Sequence, residues 1–362
     1  MDKVLNLKTK SVQMRFILVR QIILCERTCR AACAGRKLIM VRKGIAVGGT
    51  ILTDNINNIT AYPEEGELTY IRDIKKAVGG CVPNVATDVK KICPEICVRA
   101  IGKVGDDADG AFIKSVLRQN GVDVTGLKYS AFGTSKTEVM SIAGGQRTFF
   151  TYPGANDDFG ADDIDFDGLD CGMFHLGYFL LLKKIDEGDG EKILDKARRR
   201  GIKTSVDLVS VPSGKYDGIL RSLKYVDNLI INETEAGMLT GIEPKAENLR
   251  AVTEKLLGYG VKERVIVHIP EAGVITTNKG FTAVPSLDIP DEQIAGSTGA
   301  GDAFCAGALI GIYKGYPDED ILKLASSVAA TSLRVADATS GIMTEEDTVK
   351  YCERYLRRNI CL

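Results

Sequence analysis

From Gly44 onward, short apolar runs alternate with longer segments in which apolar positions recur every three or four residues. Gly44–Gly49, Cys97–Ile101, Met173–Leu176, Thr204–Asp207, Asn228–Ile231 and Val265–His268 read as strands. Between them Val85–Lys91, Ala111–Gln119, Gly190–Arg200, Glu233–Thr240, Ala246–Leu257, Asp302–Tyr313 and Ile321–Arg334 carry the helical period. Such an alternation predicts a doubly wound, mainly parallel α/β sheet flanked by helices. Two stretches break the rhythm. Asn55–Arg72 and Ser130–Thr151 are rich in Thr, Tyr and Phe with a period of two, so antiparallel strands forming a small β-sheet lid are expected there.

Charge changes the picture at one end only. The whole chain of 362 residues carries a formal net charge of −1, which gives no reason to expect nucleic acid or a membrane surface as partner. Residues 1–39, however, hold nine Lys or Arg against Asp2 and Glu26. Their composition is compatible with a mitochondrial-type presequence, but the glycine-ended strand just after Met40 favours an accessory extension preceding a folded unit at 40–362. The longest apolar stretch, Phe16 to Cys25, is interrupted by Arg20 and falls short of a membrane span. Ten cysteines are scattered without a Cys-x-x-Cys pair, which fits a reducing, cytoplasmic setting. Cys25, Cys29 and Cys33 recur at a four-residue spacing; three unpaired thiols are expected there rather than a metal cluster.

Candidate chemistry concentrates in Gly296-Ser-Thr-Gly-Ala-Gly-Asp302, which runs directly into an apolar helix. Small residues let backbone approach a ligand closely, and the N–H groups opening a helix are unpaired at its positive end. A carboxylate there would repel phosphate as a ligand, yet it could accept a hydroxyl proton. The alternative is an Asp that only caps the helix. Asn232-Glu-Thr-Glu235, after an apolar strand, is likewise either a set of hard oxygen ligands for a cation or a capping box.

The string from Ser297 to Phe304 resembles the C-terminal signature of the ribokinase-like (PfkB) carbohydrate kinases, and the resemblance extends from Gly44 to about Thr344. It implies transfer of a phosphoryl group from ATP, with Mg2+, to a hydroxyl of a sugar or sugar-like molecule. By that match Gly299, Ala300 and Gly301 would form an anion hole and Asp302 would be the base and contact the acceptor. Asp54, Gly79, Gly80 and Asn84 would hold substrate, with Arg147 as a further candidate on the lid. Nucleotide would meet Asn232, Gly273, Thr298, Gly299 and Gly301, and Asn232 with Glu235 would reach Mg2+ through water. Two departures stand out: Gly296 replaces the family's opening Asp, and His268-Ile-Pro-Glu-Ala-Gly273 replaces Thr-x-Gly-x-x-Gly. A nucleoside kinase, or a catalytically weak sugar-binding or regulatory relative, are the alternatives the same residues leave open. The resemblance also implies a homodimer through the lid.

Because the first core strand is expected after Met40, removal of residues 1–39 should leave folding and turnover intact. Circular dichroism and an activity assay on the truncated chain check this.

Overall fold

The computed structural model describes residues 43–142, 147–210 and 216–360. The expectations for residues 1–39, including Cys25, Cys29 and Cys33, lie outside the described residues. In chain order the strands are β1 (Ile45–Gly49), β2 (Leu52–Ile59), β3 (Ile71–Gly79), β4 (Val98–Gly105), β5 (Asp123–Ser130), β6 (Lys136–Ser141), β7 (Arg147–Tyr152), β8 (Met173–Phe179), β9 (Lys203–Leu208), β10 (Asn228–Asn232), β11 (Arg264–His268), β12 (Ala272–Thr277) and β13 (Gly280–Pro285). The helices of six residues or more are α1 (Cys81–Ile92), α2 (Ala108–Gln119), α3 (Gly190–Arg199), α4 (Asp217–Ser222), α5 (Glu233–Thr240), α6 (Leu249–Gly258), α7 (Ala300–Lys314), α8 (Asp318–Ser332) and α9 (Glu345–Cys352).

Nine strands form one sheet in the order β13-β12-β11-β10-β9-β8-β1-β4-β5. Pairing is parallel from β11 through β5, and antiparallel only where β12 and β13 extend one edge. Alternate side chains of β1 enter opposite layers. Ile45 and Val47 pack with α1, α2, α7 and α8, whereas Ala46 faces the layer built from α3 and α6. Burial on both faces explains why the central strands are continuously apolar. Helix α7 is buried almost all round, from Asp302 to Ile312, so its N-terminus is fixed by the core rather than by a surface loop.

The lid is a second sheet, ordered β3-β2-β6-β7. Its pairing differs from the expected antiparallel arrangement. β2 with β3 and β6 with β7 are antiparallel hairpins, but the two hairpins join through a parallel β2–β6 pair. Both strands leave the α/β unit side by side, with the Thr53 N–H on the Ser135 carbonyl at 3.1 Å, and so run outward in the same direction. The boundaries shift as well. β3 continues to Gly79, beyond the expected end at Arg72, and Ser130 closes β5 of the main sheet rather than opening the lid. The first six residues of β3 are exposed on both faces, which removes the alternation that marks a strand in sequence. Among the described residues, no helix is long and apolar enough to cross a membrane.

Candidate active site

Helix α7 begins where the chain turns sharply at Gly299, whose φ is 80°. A Cβ there would lie 2.6 Å from the Cα of Ala338, so both the left-handed backbone and the close approach require glycine. The Ala300 N–H donates to the Ser297 carbonyl at 3.1 Å, and the Ala303 N–H to the Gly299 carbonyl at 2.8 Å. Helix geometry leaves the intervening amides of Gly301 and Asp302 without an intrahelical acceptor. Gly301 forms part of the wall of two cavities. One, of about 260 Å³, also touches Gly299, Asp302, Tyr178 and Asp207, and the other, of about 590 Å³, touches Ser297, Ala300 and Phe304. Thr298 is exposed at the turn itself.

Asp302 is buried, and its Oδ2 accepts hydrogen bonds from Asn84 Nδ2 at 2.8 Å and the Tyr178 hydroxyl at 3.0 Å. Burial pushes its carboxyl up to about 7, the nearby Asp207 charge adds to the rise, and the two donors hold it down. Such a group exchanges a proton near neutral pH. Asn84 comes from the first turn of α1, which starts at Gly80 with φ 94°. Gly79 precedes this turn and pairs with Leu52 in the β2–β3 hairpin, and a Cβ added there would collide with the Asp54 carboxylate. Burial raises Asp54 to about 6. The structure therefore draws Asp54, Gly79, Gly80, Asn84 and Asp302 into one continuous chain of contacts. Arg147 stands apart: it is exposed at the start of β7, opposite Ser141, and among the described residues lines neither cavity.

On the other side of Gly301, Asn232 and Glu235 cap α5 reciprocally, with Asn232 Oδ1 accepting from the Glu235 N–H at 2.9 Å. Glu235 Oε1 takes Asn232 Nδ2 at 2.9 Å and the Ser210 hydroxyl at 3.1 Å, while Oε2 takes the Asn232 N–H at 3.1 Å. Among the described residues, one lone pair of this cavity-lining carboxylate has no donor, which suits a cation held through water. Burial lifts this carboxyl to about 7, a penalty that a nearby cation would relieve. Gly273 lies inside β12 opposite His268, where a Cβ would press on Leu322 at 3.0 Å and Phe304 at 3.1 Å. Among the described residues it lines neither cavity; packing behind the site is its visible role. The unusual loop is a tight hairpin, closed by the Ile269 N–H on the Ala272 carbonyl at 2.8 Å. Pro270 suits the second position of such a turn because its φ is preset. His268 and Ile269 then form a wall of the larger cavity, with the imidazole 4.7 Å from the Phe304 ring and lowered by burial to about 4.

The model of the pfkB family of carbohydrate kinases matches residues 44–345. The chain belongs to this family. It is 26% identical over 312 residues to a ribokinase of Arabidopsis thaliana, covering 84% of this chain and 80% of the relative. With the adenosine kinase of Saccharomyces cerevisiae it shares 25% over 279 residues, 74% of this chain and 81% of that one. The structure of Arabidopsis thaliana ribokinase complexed with ribose and ATP superimposes with a TM-score of 0.72 at 22% identity, covering 86% of this chain and 99% of that one. The fold and the class of reaction follow: this pfkB-family kinase transfers a phosphoryl group to a hydroxyl.

Two residues of the kinase's site escaped sequence reasoning. Tyr178 adopts φ 55°, unusual for a tyrosine, and its N–H donates to Asp207 Oδ1 at 2.5 Å while its hydroxyl reaches Asp302. Tyr178 and Asp207 sit towards the carboxyl ends of the neighbouring strands β8 and β9, where open parallel sheets bind ligands. That positional rule was the available signal. Asp302, Glu235 and Asp54 all have carboxyls raised above their unfolded values, so the folded state keeps protons that the unfolded chain has lost. Their stabilising contribution is present below about pH 4 and disappears as pH rises through about 6 to 7. The melting temperature of the ligand-free kinase should fall between about pH 5 and 8, and Asp302→Asn should flatten that slope; calorimetry across the range measures both.

Proposed function

We propose that this kinase phosphorylates a hydroxyl of a free sugar or sugar-like small molecule at the expense of ATP, with Asp302 as the general base. The observation that carries the reading is the Asp302 carboxyl, poised near neutrality at the open end of α7 and hydrogen-bonded to Asn84. An acceptor hydroxyl entering beside Asn84, Gly79, Gly80 and Asp54 replaces Asn84 as the partner of Asp302. The hydroxyl proton passes to the Asp302 carboxylate as the oxygen attacks phosphorus in line. Charge developing on the transferred group meets the open amides at the α7 terminus, with Gly299 and Gly301 allowing close approach. Asn232 and Glu235 would hold Mg2+ through water, and the ion would offset phosphate charge when bound. The larger cavity bounded by Ile269, Pro270 and Phe304 is apolar enough to receive a nucleobase.

ATP as donor is supported by the related ribokinase seen with ribose and ATP. A panel of pentoses, hexoses, sugar acids and nucleosides, each assayed for ATP consumption with and without Mg2+, tests the acceptor class; turnover with nucleosides alone would replace this reading. Asp302→Asn should lower kcat by about 10²–10⁴-fold while sugar affinity changes little. Wild-type turnover in that variant would reduce Asp302 to a helix residue.

The exposed lid supports a homodimer. Phe149 is 61% exposed and Phe150 59%, on successive and therefore opposite faces of β7, and Ile74 on β3 is 63% exposed. An apolar sheet of this kind gains by being covered. Light scattering should give twice the chain mass at micromolar concentration, and Phe150→Asp should return it to the monomer mass while weakening sugar binding.

A further inference from the structure

Close to Asp302, four buried side chains from four different elements gather. Cys81 opens α1, His175 lies in β8, Asp207 in β9, and Cys305 is one turn after Asp302 on α7. One donor atom from each of Cys81, His175 and Asp207 lies within 4.8 Å of the other two. Around this trio, His175 Nε2 is 3.3 Å from Asp207 Oδ2, Cys305 Sγ is 3.6 Å from His175 Nε2, and Cys81 Sγ is 3.7 Å from Asp207 Oδ2. The His175–Asp207 separation is long for a charge-assisted N–H to carboxylate contact, which spans about 2.7–2.9 Å, and the two sulfur contacts are within reach of weak S–H donors.

The three separations also fit a different interaction. A tetrahedral ion bound at about 2.3 Å to sulfur and about 2.0–2.1 Å to nitrogen and oxygen sets those atoms about 3.6 Å apart for S to N or O, and about 3.3 Å for N to O. Three of the six edges match; Cys305 stands outside the trio whose donors lie within 4.8 Å of one another, so its Sγ, already 3.6 Å from His175 Nε2, closes the tetrahedron by moving toward the other donors on binding. The surroundings also orient the donors. Ser205 Oγ lies 2.5 Å from His175 Nδ1, so with Nδ1–H donating to it the Nε2 lone pair points at Asp207 and Cys305. The Tyr178 N–H holds Asp207 Oδ1 at 2.5 Å and turns Oδ2 toward the sulfurs. Asp207 and Cys305 both line the 260 Å³ cavity, which gives an ion a route in.

We propose that Cys81, His175, Asp207 and Cys305 form a tetrahedral site for a zinc-class divalent transition metal. Two thiols, an imidazole and a carboxylate make a soft donor set that selects zinc over magnesium. On binding, each thiol loses its proton to solvent, and the ion's two positive charges offset the two thiolates formed. The net charge of the cluster facing Asp302 is the same before and after. The ion acts structurally, fastening the α1 turn that carries Asn84 and the α7 turn that carries Asp302 to the strands beneath both.

The full chain, reduced and stripped of metal with a chelator, is titrated with Co2+ as a spectroscopic stand-in for zinc. The wild type should take up the visible bands of tetrahedral cobalt with a thiolate charge-transfer band, saturating at about one equivalent and displaced by zinc. Cys81→Ser, Cys305→Ala and His175→Gln should each weaken cobalt binding by more than about tenfold, while a Cys25→Ser, Cys29→Ser, Cys33→Ser triple variant keeps the spectrum. Zinc should raise the melting temperature of the wild type but not of Cys305→Ala, whose small-for-small change and circular dichroism spectrum report intact folding. The site is refuted if the wild type shows no tetrahedral cobalt spectrum, if the spectrum survives both Cys81→Ser and Cys305→Ala, or if it disappears in the triple variant.

Discussion

The contact on which the site turns is the hydrogen bond from Asn84 to Asp302. It joins two helix starts that are 218 residues apart in the chain, and it does so inside the core, where an unpaired carboxylate would be costly. The bond forms only if α1 and α7 enter the same layer with their first turns facing. That registration is set by apolar packing around β1, whose alternating residues anchor the helix layers on both sides. Core burial thus does two things at once: it fixes the position of the Asp302 carboxyl and raises its proton affinity.

Around that contact the structure uses strand ends and helix beginnings in distinct ways. Strand ends supply polar side chains, as Tyr178, Asp207, Asn232 and His268 show. The beginning of α7 supplies the backbone amides of Gly301 and Asp302, which have no intrahelical acceptor. Negative side chains stand on one side of the crevice and open amides on another, a division suited to a reaction in which a proton and an anionic group move in opposite senses.

Much of this was legible in the sequence because it is local. The Gly-Ala-Gly-Asp string specifies both a turn and a helix start, and Asn232 with Glu235 specifies a capping box whatever its further use. The central strands announced themselves through burial on both faces. What escaped notice depends on long-range packing. β12 and β13 hide behind a proline turn, and β3 lies open on both faces, so neither shows the usual alternation. Tyr178 and Asp207 matter only because β8 and β9 lie side by side, and nothing within either segment says so. Gly273 carries a packing constraint that its own segment does not show, since a Cβ there would press on Leu322 and Phe304.

The parallel pairing of β2 with β6 carries a mechanical consequence. β2 rises two residues after β1 ends, and β3 descends straight into Gly80 at the head of α1, where the Cys81 N–H is tied to Thr50 Oγ1 at 3.1 Å and the Val82 N–H to the Thr50 carbonyl at 3.1 Å. The lid is therefore no separate flap on a tether. It is a lever whose short arm is the first turn of α1, so a tilt of the outer sheet is delivered at its root to the backbone that presents Asn84. Tension on the cover and alignment at the carboxyl are two readings of a single displacement.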